Sequence, residues 1–262
     1  MLYFKTDCGD MMRFTKTIKT LALIAGIAAS FASNADFLDF QIAETPYGGE
    51  IITADKLNGG YTEIINFDNA GNFTAVAFAS MNQLFGNDGT ANSSQVGSVV
   101  GANYNLYATF SASGRVVVPG EFGSNSSLKG EAGSFSLFLD KNQDTAATDL
   151  ATLTLSNTAD DELLGFSNML GENAGLLYGF GGVFDFMFHN FELTAQGDTY
   201  FVSPMPFYMS VRVDGDLDNI PLEGEQFVTG DVSAVFDVPE PSTVAVLSLG
   251  LLGLGATRRR KS

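Results

Sequence analysis

The feature that most constrains the fold of this chain is a series of short apolar runs with a two-residue period. In residues 183–188 the rings of Phe184, Phe186 and Phe188 fall on one face, opposite Asp185. A strand places successive side chains on opposite faces, so this alternation indicates half-buried strands. Clusters of Gly, Asn, Asp and Ser separate the runs, as turn residues do. The pattern predicts an all-β domain.

Ten runs are candidate strands, several of them alternating with period two, and three Asn-containing segments between them predict turns: Asn58-Gly59-Gly60, Asn69-Ala70-Gly71 and Asn87-Asp88-Gly89. Residues Asp160 to Leu170 are predicted to form a short helix or loop. Many short strands at this spacing predict an antiparallel β-sandwich or jelly-roll-like domain. The predicted strands are Tyr61–Phe67, Phe73–Ala79, Tyr104–Ser111, Arg115–Val118, Gly133–Leu139, Thr152–Leu155, Gly182–Leu193, Thr199–Val202, Phe207–Val213 and Phe227–Phe236.

The predicted domain, residues 36–237, is strongly acidic. It contains 5 Lys and Arg residues against 27 Asp and Glu residues, a formal charge of −22, whereas the whole chain carries −17. Such a charge repels nucleic acid and anionic lipid and attracts divalent cations. Nucleic-acid binding is therefore excluded as a function.

Two acidic segments have the spacing of a calcium loop. Asp214, Asp216 and Asp218 alternate along the chain, and Glu225 stands at the twelfth place counted from Asp214. Ca²⁺ prefers six to eight oxygen ligands from a tightly turned segment. The match is imperfect, because Asn219 replaces the glycine that such a loop needs at its turn.

The second segment begins D-x-N-x-D, with Asp140, Asn142 and Asp144 as candidate ligands. The alternative for both segments is a solvated turn between strands, where Asp and Asn are favoured. Calcium is thus the candidate cofactor.

Few residues of the domain suit catalysis. The one cysteine of the chain, Cys8, lies before the domain, and His189 is the one histidine. No G-x-S-x-G segment accompanies it, so His189 is predicted to be an ordinary strand residue. Paired carboxylates of the kind that glycosidases use remain an alternative, because the domain has many acidic residues.

The N-terminal segment has the three parts of a secretory signal peptide. Residues 12–35 begin with basic residues, continue with the apolar run Leu21–Phe31, and end with the small residues Ser33 and Ala35. This order predicts a signal helix over residues 1–35, export through the Sec translocon, and cleavage after Ala35. Met12 is the expected true start.

The C-terminal segment, residues 238–262, also has three parts. Pro239, Glu240 and Pro241 precede an uncharged apolar run, residues 242–257, and a basic cluster follows, Arg258, Arg259, Arg260 and Lys261. The run predicts a short transmembrane helix whose basic end stays on the cytoplasmic side. A simple tail anchor behind a proline-containing linker is one interpretation.

This ending resembles the PEP-CTERM sorting signal of Gram-negative bacteria. The resemblance implies recognition by an exosortase, a membrane cysteine protease or transpeptidase. Pro239, Glu240 and Pro241 match its motif, and Arg258, Arg259 and Arg260 match its basic end.

Three runs within the domain are similar to the exported domain of flocculation-associated PEP-CTERM proteins: Tyr104–Gly114, Ser134–Thr145 and Tyr200–Val211. The resemblance implies a non-enzymatic protein of the cell surface or extracellular matrix. It would cross the inner membrane, be processed by exosortase, and join extracellular polysaccharide in floc or biofilm formation. The alternatives are a carbohydrate-binding module and a carboxylate-based polysaccharide-active enzyme.

Overall fold

Antiparallel strands dominate the computed structural model, which describes residues 37–86, 94–118, 126–149, 152–178, 181–218 and 220–237. A six-residue helix, α1 (Ala195–Tyr200), begins at the N-cap residue Thr194, whose hydroxyl accepts a hydrogen bond from Gly197 N. In chain order the strands are β1 (Phe40–Ala43), β2 (Ile51–Ala54), β3 (Lys56–Phe67), β4 (Asn72–Ser80), β5 (Gln83–Gly86), β6 (Ser94–Gln95), β7 (Asn105–Val118), β8 (Ser126–Asp140), β9 (Ala146–Asp149), β10 (Thr154–Ser156), β11 (Glu162–Ser167), β12 (Met169–Tyr178), β13 (Gly181–His189), β14 (Glu192–Leu193), β15 (Phe201–Ser203), β16 (Ser210–Leu217) and β17 (Gly224–Asp237).

Eight of these strands form a closed up-and-down barrel. Going round the barrel, β3, β4, β7, β8, β12, β13, β16 and β17 follow one another in chain order, and every neighbouring pair is antiparallel. The first and last strands of the series pair over a long stretch, from Gly224↔Phe67 to Ala234↔Leu57. The all-β prediction is therefore confirmed.

The predicted β-sandwich or jelly-roll arrangement is wrong, and the reason lies in strand β8. Its first residues, Ser126–Leu128, pair with β12, whereas its last residues, Phe135–Leu139, pair with β11. The first pairing closes the barrel, and the second adds β11 and β14 as a side extension. A sheet that closes on itself has no second sheet to pack against, unlike a sandwich.

A small three-stranded sheet covers the barrel end at which β17 finishes. Its strand order is β15-β1-β2. Phe40 of β1 and Phe201 of β15 pack against Phe236 of β17, with ring centroids 5.3 and 5.5 Å from that of Phe236. All three rings are fully buried. Apolar burial at this end joins the small sheet to the barrel core.

Three sequence predictions fail locally. The predicted strand Thr199–Val202 begins inside α1, because the Thr194 cap starts a helical turn that continues to Tyr200. Residues Asp160 to Leu170 were predicted as a helix or loop, but they contain β11 and the start of β12, because β11 has hydrogen-bonding partners on both sides. The predicted turn Asn58-Gly59-Gly60 lies inside β3. A Cβ atom at Gly59 would stand 1.6 Å from the carbonyl oxygen of Ser80, so this glycine permits a close backbone approach.

The two predicted terminal helices, residues 1–35 and 238–262, lie outside the described residues. Of the residues that the structure does describe, none belongs to a helix with the length and apolar character needed to cross a membrane.

Candidate functional site

The interior of the barrel contains a cavity. Its volume is about 50 Å³, several times the roughly 10–15 Å³ that a single water molecule needs. Eight strands enclose an interior that side chains can fill or that can hold one small ligand. The residues around the cavity decide which of these applies.

One side of the cavity is lined by small residues, which we call the alanine wall: Ala75, Ala77 and Ala79 of β4 with Ala108 and Ala112 of β7. Ala75 pairs with Ala112, and Ala79 pairs with Ala108, so the methyl groups form one patch across two neighbouring strands. Methyl groups leave unfilled the space that Leu or Phe would occupy in a packed barrel. The cavity follows from this choice of residues.

Phenylalanine rings line the neighbouring part of the cavity, which we call the aromatic wall: Phe110, between Ala108 and Ala112 on β7, with Phe135, Phe184 and Phe186. Phe110 meets Phe186 edge-on with centroids 5.3 Å apart. Phe184 meets both Phe186 at 6.0 Å and Tyr61 at 5.6 Å. The predicted alternation of residues 184–188 is confirmed, because Phe186 and Phe188 are buried in the core.

Glu63 of β3 brings a carboxyl group to this apolar cavity. Its side chain is one of the residues that line the cavity, and only 6% of the residue is exposed. Its neighbours across the sheet are Ala77 on β4 and Val228 on β17. Among the described residues, the Glu63 carboxyl group has neither a hydrogen-bond partner nor an ion-pair partner.

Burial raises the pKa of Glu63 to about 8, because the ionised form loses its hydration without gaining a partner. Tyr61, on the same face of β3, is the nearest titratable side chain on that strand. Its hydroxyl donates to the carbonyl oxygen of Asp216 at 2.6 Å, and burial raises its pKa too. The carboxyl group of Glu63 is thus held in its neutral form at neutral pH.

The first predicted calcium segment does not form a loop. Asp214 and Asp216 lie within β16 and Asp218 follows it, with all three side chains exposed. On an extended strand, alternate residues are separated by roughly 7 Å, so these carboxylates spread along one face. Asp216 Oδ1 and Asp218 Oδ2 accept hydrogen bonds from the β17 backbone, from Asp231 N and Thr229 N. Glu225, the fourth predicted ligand, is exposed near the start of β17.

The second predicted calcium segment is a turn closed by Asp140. This residue is 1% exposed, and its carboxylate accepts hydrogen bonds from the backbone N–H groups of Asn142, Gln143 and Thr145. Asn142 and Asp144 are exposed. In the described part of the chain, no three His, Cys, Asp or Glu side chains are grouped so that they could hold a metal ion. Calcium binding at either segment stays a prediction.

His189 contacts two polar side chains at the end of β13. Its Nδ1 lies 3.2 Å from Ser210 Oγ and its Nε2 lies 3.0 Å from Glu172 Oε2. Ser210 is 1% exposed, whereas the Glu172 side chain is 85% exposed. A serine nucleophile must be open to its substrate, and this hydroxyl group is buried.

The residues predicted for processing lie outside the described residues: Ala35, Pro239, Glu240, Pro241, Arg258, Arg259 and Arg260. Comparison with protein families does address the C-terminal group. A family model described as the PEP-CTERM protein-sorting motif matches residues 237–261. This chain carries a PEP-CTERM sorting motif. No curated protein and no solved structure matches the chain.

The PEP-CTERM motif indicates a protein that exosortase sorts to the cell surface, as in Gram-negative bacteria. It begins at Asp237, the last residue of the barrel strand β17. The chain therefore passes directly from the barrel into its sorting motif.

The sequence patterns used above do not predict the cavity or the role of Glu63, although the sequence contains a signal for each. Glu63 occupies an inward position of β3, on the same face of the strand as Tyr61, Ile65 and Phe67. An acidic residue at a core position of an alternating strand breaks the apolar pattern. The alternating alanines at 75, 77 and 79 are the second signal.

Proposed function

We propose that the barrel is the cargo of the PEP-CTERM motif and acts as a non-enzymatic protein of the extracellular matrix. After export through the Sec translocon and a transient stay in the inner membrane, it joins extracellular polysaccharide and contributes to floc or biofilm formation. The observation that carries the proposal is the match of the sorting motif to residues 237–261, directly after the last barrel strand. The resemblance of the three domain runs to flocculation-associated proteins adds the role in aggregation.

The acidic outer surface supports this role. Asp214, Asp216 and Asp218, which we call the acidic strip, are exposed on the outer face of β16 and just after it. Three of the five basic residues of the domain, Arg115, Lys141 and Arg212, already pair with carboxylates. Most carboxylates are therefore left to attract cations. Divalent cations would bridge them to acidic polysaccharide.

Two features support a non-enzymatic role over a polysaccharide-active enzyme. A glycosidase generally places two carboxyl groups on either side of the scissile bond, whereas the described lining of the cavity contains one, Glu63. Next to the one histidine, the Ser210 hydroxyl is buried.

A carbohydrate-binding module would present aromatic rings on its surface for sugars to stack on. In the described residues the tyrosines are buried or half-buried, and the exposed rings are Phe37 and Phe227. Phe37 precedes β1, while Phe227 lies on β17 opposite Ile64. This arrangement favours electrostatic association with polysaccharide over stacking.

The proposal is tested in cells that lack the protein and in the same cells with the full chain restored. We expect loss of the protein to reduce flocculation and the restored chain to recover it. EDTA should release the protein from the matrix, while EDTA saturated with Ca²⁺, the matched control, should not. Unchanged flocculation in the deletion strain would refute the role in aggregation, and retention in EDTA would refute the cation bridge.

A further inference from the structure

We propose that the barrel cavity binds a small apolar amine, with its ammonium group at the Glu63 carboxylate and its hydrocarbon body between the alanine wall and the aromatic wall. This binding takes place inside the barrel and does not depend on how the protein is delivered or what its surface binds.

The position of Glu63 is the first argument. The other inward residues of β3, Tyr61, Ile65 and Phe67, belong to the apolar core. A buried carboxyl group without a partner destabilises the folded state, and an apolar residue there would be better for folding alone. A partner supplied by a ligand would compensate for that loss.

The space beside Glu63 is the second argument. Ala77 lies directly across from Glu63 on β4, and Ala75 and Ala79 flank it on the same inward face. Water is a poor occupant of this space, because an ordered buried water needs two to four polar partners. Glu63 offers one group, and the Tyr61 hydroxyl already donates to Asp216 O.

The charge of the cavity selects the head group of the ligand. Glu63 lines the cavity, and besides burial the negative charges of Asp216 and Asp218 help to raise the pKa of the neighbouring Tyr61. The same charges repel an anionic ligand. A sugar would leave many hydroxyl groups without partners against methyl and phenyl surfaces. An ammonium group instead gives the carboxylate a charge-assisted hydrogen bond.

The hydrocarbon body of the ligand follows from the two walls. Ala108 and Ala112 present methyl groups, and Phe110 and Phe186 present ring edges and faces. Contact with such surfaces removes apolar area of the ligand from water, and phenyl faces also attract a neighbouring cation.

Binding couples to a proton. With its pKa at about 8, the Glu63 carboxyl group is protonated in the empty cavity at neutral pH. When an alkylammonium ion enters, the carboxyl proton leaves to the solvent and a carboxylate–ammonium pair remains, so charge and protons balance. The groups on the strands next to Glu63, Ala77 on β4 and Val228 on β17, do not titrate.

The test is calorimetric titration of ethylamine, an amine short enough for a cavity of about 50 Å³, into the exported protein recovered from cells that express the full chain. Ethanol, which has the same chain length and no charge, is the matched ligand control. At about pH 7 we expect ethylamine to bind at least about tenfold more tightly than ethanol. Titrations in two buffers of different ionisation enthalpy should show about one proton released per amine at pH 7, and fewer at about pH 9.

Three variants locate the binding. Glu63→Gln should weaken ethylamine binding roughly tenfold or more and abolish the proton release, while it leaves ethanol binding unchanged. Ala77→Leu should block both ligands by filling the cavity. Glu172→Gln, which removes an exposed carboxylate, should bind ethylamine like the unchanged protein.

Three results would overturn the proposal: no binding of ethylamine to the folded protein, equal affinities for ethylamine and ethanol, or a Glu63→Gln protein that binds ethylamine as tightly as the original. Glu63→Gln removes a buried ionisable group, so the variant is expected to fold.

Discussion

Glu63 makes the stability of the barrel depend on pH. Burial raises its pKa from 4.5 to about 8, so the folded state holds this proton more tightly than the unfolded chain does. The stabilisation is fully present below about pH 4.5 and is lost as the pH rises through about 8, at about 1.4 kcal/mol per pH unit.

Glu63→Gln should therefore remove most of the decline in stability between about pH 5 and 8. Urea unfolding of the exported protein at several pH values across this range measures how the free energy of unfolding changes with pH. Glu50→Gln, at an exposed carboxylate, is the control and should keep the original slope. Parallel slopes for the original protein and Glu63→Gln would contradict the assigned pKa.

Glu44 differs from Glu63 in that its buried carboxylate accepts hydrogen bonds from neighbouring groups. The residue is fully buried, and its carboxylate accepts hydrogen bonds from Ser98 Oγ, from Val99 N and from Tyr104 Oη at 2.8 Å. It connects the segment after β1 to the residues before β7. No such set of donors surrounds Glu63 in the described residues.

We expect Glu44→Ala to lower the free energy of unfolding by roughly 3–5 kcal/mol, because the buried Tyr104 hydroxyl group and two half-buried donors lose their acceptor. Glu50→Ala, at a nearby exposed position, should change it by less than about 0.5 kcal/mol. Thermal or urea unfolding compares the two variants. Equal losses would show that the Glu44 hydrogen bonds do not stabilise the fold.

At the scale of strands, Gly59 shows why one turn prediction failed. Asn, Gly and Gly in sequence favour a turn, yet β3 continues through them because the Ser80 backbone lies close to Gly59. The predicted turn at Asn69-Ala70-Gly71 is confirmed, with Gly71 at φ +81° between β3 and β4. Local sequence does not distinguish the strand segment at Gly59 from the turn at Gly71, because the backbone that approaches Gly59 belongs to another strand.

Gly59→Ala should destabilise the protein by roughly 2–3 kcal/mol, because its Cβ would overlap the Ser80 carbonyl group. Gly60→Ala is the matched control, since the nearest atom to its Cβ would be 3.7 Å away, and its effect should stay within about 0.5 kcal/mol. The unfolding midpoints of the two variants measure the difference between their losses of stability. Equal tolerance of both substitutions would contradict the close packing of β3 against Ser80.

The acidic strip is the strand-scale feature tied to the proposed surface role. Replacing Asp214, Asp216 and Asp218 together with Asn keeps their hydrogen-bond acceptors but removes three charges. We expect less of the variant in the polysaccharide matrix, measured as the fraction that EDTA releases. Replacing the exposed residues Glu131, Glu172 and Asp198 with their amides is the control. Equal retention of the two variants would show that total charge, and not the strip, decides.

At the scale of the whole molecule, the sequence predicts the strands better than their arrangement. Period-two runs identify β3, β4, β13 and β17 because each strand buries one face. Closure depends on the pairing of Gly175–Leu177 with Ser126–Leu128, two segments far apart in the chain that no local pattern connects. The same closure creates the cavity. An alternating alanine run therefore indicates a cavity only when the strand is known to face the interior of a barrel.

If the PEP-CTERM motif delivers this barrel to the cell surface, replacing the motif must change both the processing and the location of the protein. Pro239, Glu240 and Pro241 are replaced together with alanines in the full chain, and the mass and location of the product are followed by immunoblotting of cell fractions. Exosortase processing predicts an unprocessed chain that stays in the inner membrane and a loss of the surface form. A product of unchanged mass at the cell surface would contradict sorting by exosortase through this motif.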